Sequence, residues 1–183
     1  MSSQSNALHR STEPDALRRV WRLGADIDTD VLAPGHAMKN VDTISQYCLE
    51  SVRPEFAGAV RPGDVIAAGP NFGIGSSREQ AASVLVQLGV SAVIAPSFGG
   101  LYFRNAFNLG LLLLTCAEAE KLQEGDQVQL DLSGDAPAVV STELGRLACE
   151  PVPDFLMDMV RQGGLLNQLR KRLGKLTTSE LPA

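Results

Sequence analysis

The sequence predicts an α/β fold with a partly parallel sheet, and three observations carry that expectation. Residues 65–68 (Val65-Ile66-Ala67-Ala68) and 92–95 are short apolar runs bounded by turn residues, which reads as two buried strands. Between them Ala81, Val84, Leu85 and Leu88 fall at i, i+3, i+4 and i+7, one apolar stripe of a helix stopped by Gly89. A Gly-rich stretch, Gly69 to Glu79, joins the first strand to that helix. Strand, loop, helix and strand in this order make a right-handed βαβ unit with parallel strands. The loop then lies at a strand's carboxyl end, where open α/β sheets bind ligands.

The remaining elements follow in order. Residues 20–23 read as a strand, followed by the polar turn Asp26-Ile27-Asp28-Thr29-Asp30 and the loop signal Pro34-Gly35. Asp42 is placed to cap a helix over residues 42–52, and Arg61-Pro62-Gly63-Asp64 is a turn into the strand at 65–68. A second helix is expected over residues 98–108, closed by Gly110, and an apolar strand over 111–114. Strands at 127–132 and near Val139, separated by a Gly134-Asp135 turn, precede helices at 154–162 and 165–173. Residues 1–16 and 174–183 are polar and read as flexible tails, leaving a single domain over 17–173 with no internal repeat.

Composition excludes several functions. The net charge is -5 and the pI about 5.0, with both signs interspersed, so no polybasic face suggests nucleic acid or an anionic membrane. The N-terminal residues have no apolar signal region and no run is long enough to span a bilayer, so a cytoplasmic location is expected. The three cysteines, Cys48, Cys116 and Cys149, are far apart and odd in number, the usage of reduced, buried thiols. With His9 and His36 the only histidines and no C-x-x-C, the chain offers no metal-ligand spacing.

The chemistry concentrates in Asn71-Phe72-Gly73-Ile74-Gly75-Ser76-Ser77-Arg78-Glu79. Glycines let backbone approach a ligand closely, while a helix start and Arg78 favour a carboxylate. Ser76-x-x-Glu79 is also a capping box, and the local pattern by itself favours that structural role over a catalytic serine. A phosphate cradle fits less well, because the P-loop lysine and the dinucleotide glycine spacing are both missing.

That run closely resembles the small subunits of 3-isopropylmalate dehydratase and related homoaconitase-type enzymes, as do Val93-Ile94-Ala95-Pro96-Ser97-Phe98 and Phe103-Arg104-Asn105-Ala106-Phe107-Asn108-Leu109-Gly110-Leu111. Asp26-Ile27-Asp28-Thr29-Asp30-Val31, Pro54-Glu55-Phe56 and Arg61-Pro62-Gly63-Asp64 follow the family's pattern too, so the resemblance covers residues 20–115 in order. It departs from many relatives at Ile74 and Gln80, where a cysteine and a histidine are usual.

The resemblance implies an aconitase-type swivelling β/β/α domain, encoded as a separate chain that pairs with a large iron-sulfur subunit as a heterodimer or heterotetramer. This chain is expected to bind no cofactor of its own. The larger partner would hold a four-iron four-sulfur cluster whose open iron acts as a Lewis acid. The implied reaction interconverts 2- and 3-isopropylmalate through 2-isopropylmaleate in leucine synthesis. Citramalate, dimethylmalate and homoaconitate are alternative substrates, and a non-catalytic, partner-stabilising subunit is an alternative role.

Carried over by motif, Ser76 matches the alkoxide-like base and Asp30 an aspartate that orients a catalytic histidine of the partner. Ser77 and Arg78 match carboxylate-binding residues, with Thr29 and Gly75 beside them. Ala37 and Met38, in the loop after Asp30, would meet the substituent that distinguishes substrates. Their apolar character suits an alkyl group, because burying a further carboxylate without a partner costs several kcal/mol. His36 and Lys39 are expected to be solvated, and Asp26 and Asp28 to cap turns.

Overall fold

A computed structural model describes residues 16–37, 40–134 and 136–179, with side chains through Leu173. Seven strands form one sheet in the order β4-β3-β2-β1-β5-β6-β7. They are β1 (Arg18–Arg22), β2 (Val65–Ala67), β3 (Ala92–Ala95), β4 (Leu112–Thr115), β5 (Gln127–Asp131), β6 (Ala138–Ser141) and β7 (Gly145–Ala148). The helices are α1 (Thr29–Leu32), α2 (Val41–Ser45), α3 (Phe56–Ala59), α4 (Gln80–Gln87), α5 (Gly100–Asn108), α6 (Asp154–Gln162) and α7 (Leu165–Ser179).

The first four strands run parallel, in register Val20↔Val65, Val65↔Ala92 and Ala92↔Leu112. The expected βαβ unit is therefore present as β2-α4-β3. Strands covered on both faces need apolar residues at every position. That is what β2 and β3 supply, each residue being buried, and α4 buries Ala81, Ala82, Val84 and Leu85 in the same core. The other half, β1-β5-β6-β7, is antiparallel. In β5 the burial alternates, the mark of a sheet with one covered face. Only Leu147 of β7 is buried, so this strand leaves no apolar pattern and the sequence reading misses it.

Three expected elements are corrected. The helix expected over 42–52 is only α2, capped by Asn40 Oδ1, which accepts from Thr43 N at 2.9 Å. Asp42 does not cap it and instead accepts from Gln87 Nε2 at 2.9 Å. The chain leaves the helix because Leu49 adopts φ +64° and its N–H turns to the Val31 carbonyl at 3.0 Å. The helix expected from residue 98 starts at Gly100, since Phe98 is held in a bridge to Phe72. The last helix continues to Ser179, past the expected end at 173. The proposed tail at 1–16, apart from Ala16, and the last residues of the one at 174–183 lie outside the described residues, as does Asp135 of the expected turn. Among the described residues no helix is long and apolar enough to cross a membrane.

Candidate active site

The loops that leave β1, β2 and β3 meet at one end of the parallel strands. The loop after β2 runs between the other two like a further strand. On one side Gly73 N donates to Ile27 O at 2.7 Å and Thr29 N to Ile74 O at 2.9 Å. On the other, Phe72 N donates to Ser97 O at 3.1 Å and Gly99 N to Phe72 O at 2.8 Å. Asn71 ties the three together: its N–H donates to Ser97 Oγ at 2.9 Å and its side-chain amide to Asp26 Oδ1 at 2.8 Å.

Two glycines make this packing possible. Gly73 sits at φ +76°, and a Cβ there would lie 2.2 Å from Tyr102 Cγ. Gly75 sits at φ +104°, and its Cβ would come 3.0 Å from Thr29 Oγ1. Both requirements exclude larger side chains, by backbone angle and by space.

Ser76 does not cap a helix. Helix α4 begins at Gln80, its N-cap position is Glu79 in αR geometry, and no side-chain cap bond is made. The capping-box reading is thus overturned, because the chain from Gly75 to Ser77 is drawn towards α1 instead. Ser76 N donates to Thr29 Oγ1 at 2.9 Å, and Ser76 Oγ lies 3.0 Å from the same atom. Ser76 and Ser77 are exposed, whereas Thr29 beneath them is 1% exposed. The Ser77 carbonyl accepts from Asn105 Nδ2 at 3.1 Å, so α5 fixes the peptide beside Ser76. In the sequence Asn105 carries one signal, that of a polar residue beside the apolar stripe of α5.

Arg78 is half-buried, ion-paired with Asp30, and donates to Ala33 O at 3.2 Å. Asp28 caps α1 as expected, its Oδ1 accepting from Val31 N at 2.8 Å, whereas Asp26, at φ +57°, spends its carboxylate on Asn71 of the neighbouring loop rather than on its own turn. The main-chain N–H groups of Ser77, Arg78 and Glu79 donate no hydrogen bond among the described residues. They sit at the positive end of α4 beside a guanidinium, an arrangement that receives a carboxylate.

Thr29, Asp30, Gly75, Ser76, Ser77 and Arg78 are therefore brought together. Ala37 ends a short 3-10 turn and is buried, while Met38 and Lys39 lie outside the described residues. His36 is exposed, with Nε2 3.0 Å from Glu50 Oε1 and its ring edge-on to Tyr47.

All three cysteines are buried. Burial pushes the Cys48 thiol up, and the neighbouring Cys116 and Cys149 thiols shift each other in opposite directions, Cys116 down and Cys149 up. Among the described residues no group of three His, Cys, Asp or Glu side chains is placed to hold a metal. The donor set among the described residues does not fit an iron-sulfur cluster.

The aconitase C-terminal domain family matches residues 37–119. A 3-isopropylmalate dehydratase small subunit of Nautilia profundicola is 39% identical over 158 residues, 85% of this chain and 94% of that one. One from Methanosarcina acetivorans is 40% identical over 156 residues, 84% of this chain and 95% of that one. A crystal structure of 3-isopropylmalate dehydratase from Methanocaldococcus jannaschii superposes with a TM-score of 0.80 at 35% identity, covering 90% of this chain and 97% of that one. The half-parallel sheet, the family match and the superposition together place the chain in the class of aconitase-type swivelling domains. Within that class the chain belongs to the 3-isopropylmalate dehydratase small-subunit family.

Proposed function

We propose that this chain is the small subunit of a hydro-lyase that interconverts 2- and 3-isopropylmalate through 2-isopropylmaleate, the step of leucine synthesis its relatives are named for. The observation that carries the reading is Ser76, an exposed hydroxyl with no capping duty, one residue from free main-chain donors and two from Arg78. In this role Arg78 and the amides of Ser77 to Glu79 grip a substrate carboxylate. Ser76, as an oxyanion, takes the proton from the adjacent carbon. The electron pair of that C–H bond forms the double bond as the hydroxyl leaves the neighbouring carbon, departing as water with a proton from the partner's side. Rehydration with the opposite placement completes the interconversion. The hydroxyl of a water, whose other proton goes to the partner's side, adds to the carbon that lost its proton. Ser76 returns its proton to the carbon that lost the hydroxyl, where the double-bond electron pair forms the new C–H bond.

The rest of the site belongs to a large subunit. Asp30, 64% exposed in its side chain, faces outward and is proposed to orient that partner's acid-base group. An iron-sulfur cluster, which this chain's donors do not fit, is assigned to the partner as the Lewis acid. Ile74 takes part through its carbonyl, which accepts from Thr29, so an aliphatic side chain in place of a thiol leaves the loop's pairing intact. This argues for catalysis over a purely stabilising subunit.

The test is co-expression with a large subunit of 3-isopropylmalate dehydratase. Specificity constants of the reconstituted pair for isopropylmalate, citramalate, dimethylmalate and homoaconitate would be compared, with Met38→Arg alongside. Isopropylmalate should be preferred, and Met38→Arg should shift preference towards homoaconitate. No turnover of any of the four by the wild-type pair, with Ser76→Ala binding the large subunit equally well, assigns the stabilising role instead.

A further inference from the structure

Thr29 Oγ1 sits at the closest polar contact to Ser76. It accepts the Ser76 N–H at 2.9 Å and lies 3.0 Å from Ser76 Oγ, and distance alone permits either hydroxyl to donate. Burial decides the direction. Thr29 is 1% exposed, and its hydroxyl has no other hydrogen-bond partner among the described residues. If Ser76 donated, the Thr29 proton would be buried without an acceptor, which is costly. If Thr29 donates, every group on it is satisfied, and the Ser76 proton is left to the open side of the loop. The backbone holds the pair in place, since Thr29 N donates to Ile74 O at 2.9 Å and Gly75 leaves no Cβ to separate them.

We infer that Thr29 is a positioning residue for the base: its hydroxyl donates to Ser76 Oγ, fixes the Ser76 rotamer and stabilises the oxyanion. The buried threonine is thereby assigned to the serine and not to the substrate. A donor aimed at an oxygen favours its ionised form, so the contact lowers the pH at which Ser76 becomes competent. Ser76→Ala and Thr29→Val should then remove parts of one device, and their effects should not add.

This inference rests on Ser76 acting as the base, and the experiment separates the two. Thr29→Val, Thr29→Ser, Ser76→Ala and the Thr29→Val/Ser76→Ala double variant are each assembled with the large subunit, and kcat, KM and the pH dependence of kcat are measured. Valine keeps the volume and the Thr29 N–H bond to the Ile74 carbonyl, and removes the hydroxyl that also accepts the Ser76 N–H, whereas serine keeps both hydroxyl contacts. Thr29→Val should lower kcat by roughly 10- to 100-fold with KM nearly unchanged. It should also move the ascending limb of the pH profile upward. Thr29→Ser should restore kcat to within a few-fold, and the double variant should be no slower than Ser76→Ala. Wild-type kcat in Thr29→Val overturns the inference while leaving Ser76 as the base. A lowered kcat with an unmoved limb and no rescue by serine overturns it too, because that is a packing effect. Substantial turnover by Ser76→Ala removes the base itself and overturns both readings.

Discussion

Asp30 and Arg78, from the loops that follow β1 and β2, form an ion pair at the open end of the sheet. The arginine proposed to grip a substrate carboxylate is thus held by a carboxylate of its own chain, and the Ala33 carbonyl steadies it further at 3.2 Å. An exposed pair of this kind is worth about 1 kcal/mol or less, so a substrate can displace it.

Asp30→Asn should leave the melting temperature nearly unchanged and lower kcat of the assembled enzyme by at least about tenfold, if Asp30 orients the partner's acid-base group. A change in KM alone would restrict Asp30 to holding Arg78. Steady-state kinetics on the pair distinguish the two.

Arg78→Lys should raise KM and lower kcat together. A lysine keeps the charge but cannot present two parallel N–H donors or reach Asp30 and Ala33 in the same way. Kinetics unchanged from the wild type would remove Arg78 from the clamp.

Ser76→Ala should reduce turnover by orders of magnitude and cost about 1 to 3 kcal/mol of stability, the penalty of leaving the buried Thr29 hydroxyl without its acceptor. The ~1 kcal/mol penalty of a lost helix cap does not apply, because α4 takes no cap from this residue. Thermal unfolding and turnover of the same preparation test both halves of the statement.

Gly73→Ala should destabilise the chain by about 2 to 4 kcal/mol, the combined cost of a side chain at positive φ and of overpacking. The added methyl would meet the Tyr102 ring, which is buried and stacked edge-on against Phe72. Denaturant midpoints of the isolated chain measure the loss; a change below about 0.5 kcal/mol would mean that the loop repacks freely.

The isolated chain, reconstituted anaerobically with iron and sulfide, should retain no stoichiometric cluster. Its cysteines are buried, and among the described residues no group of three potential ligands comes together. Iron analysis and the visible spectrum are the readouts.

Much of the fold was legible because parallel strands and their crossover helix write simple patterns. Runs such as Ala92–Ala95 are apolar throughout since both faces are covered, and Ala81, Val84 and Leu85 repeat at helical spacing because one face of α4 is buried. β7 was illegible, having a single buried residue. Residues 46–52 have a helical pattern, although Leu49 turns away to bond Val31, a contact that no local pattern encodes.

By itself the sequence determined the α/β class, the position of the Gly-rich loop at a strand's end, and the residue types available there: two serines, an arginine and conformationally free glycines. Its local pattern also favoured a capping box at Ser76 and Glu79, and tertiary structure decided otherwise. Thr29 and Ser76 are distant in sequence, and only the parallel pairing of β1 with β2 brings their loops side by side. A buried hydroxyl must find a partner wherever folding places it, so Thr29 takes Ser76 from the helix it would have capped. Local propensity is worth about 1 kcal/mol at such a site, and two long-range hydrogen bonds on a buried group outweigh it.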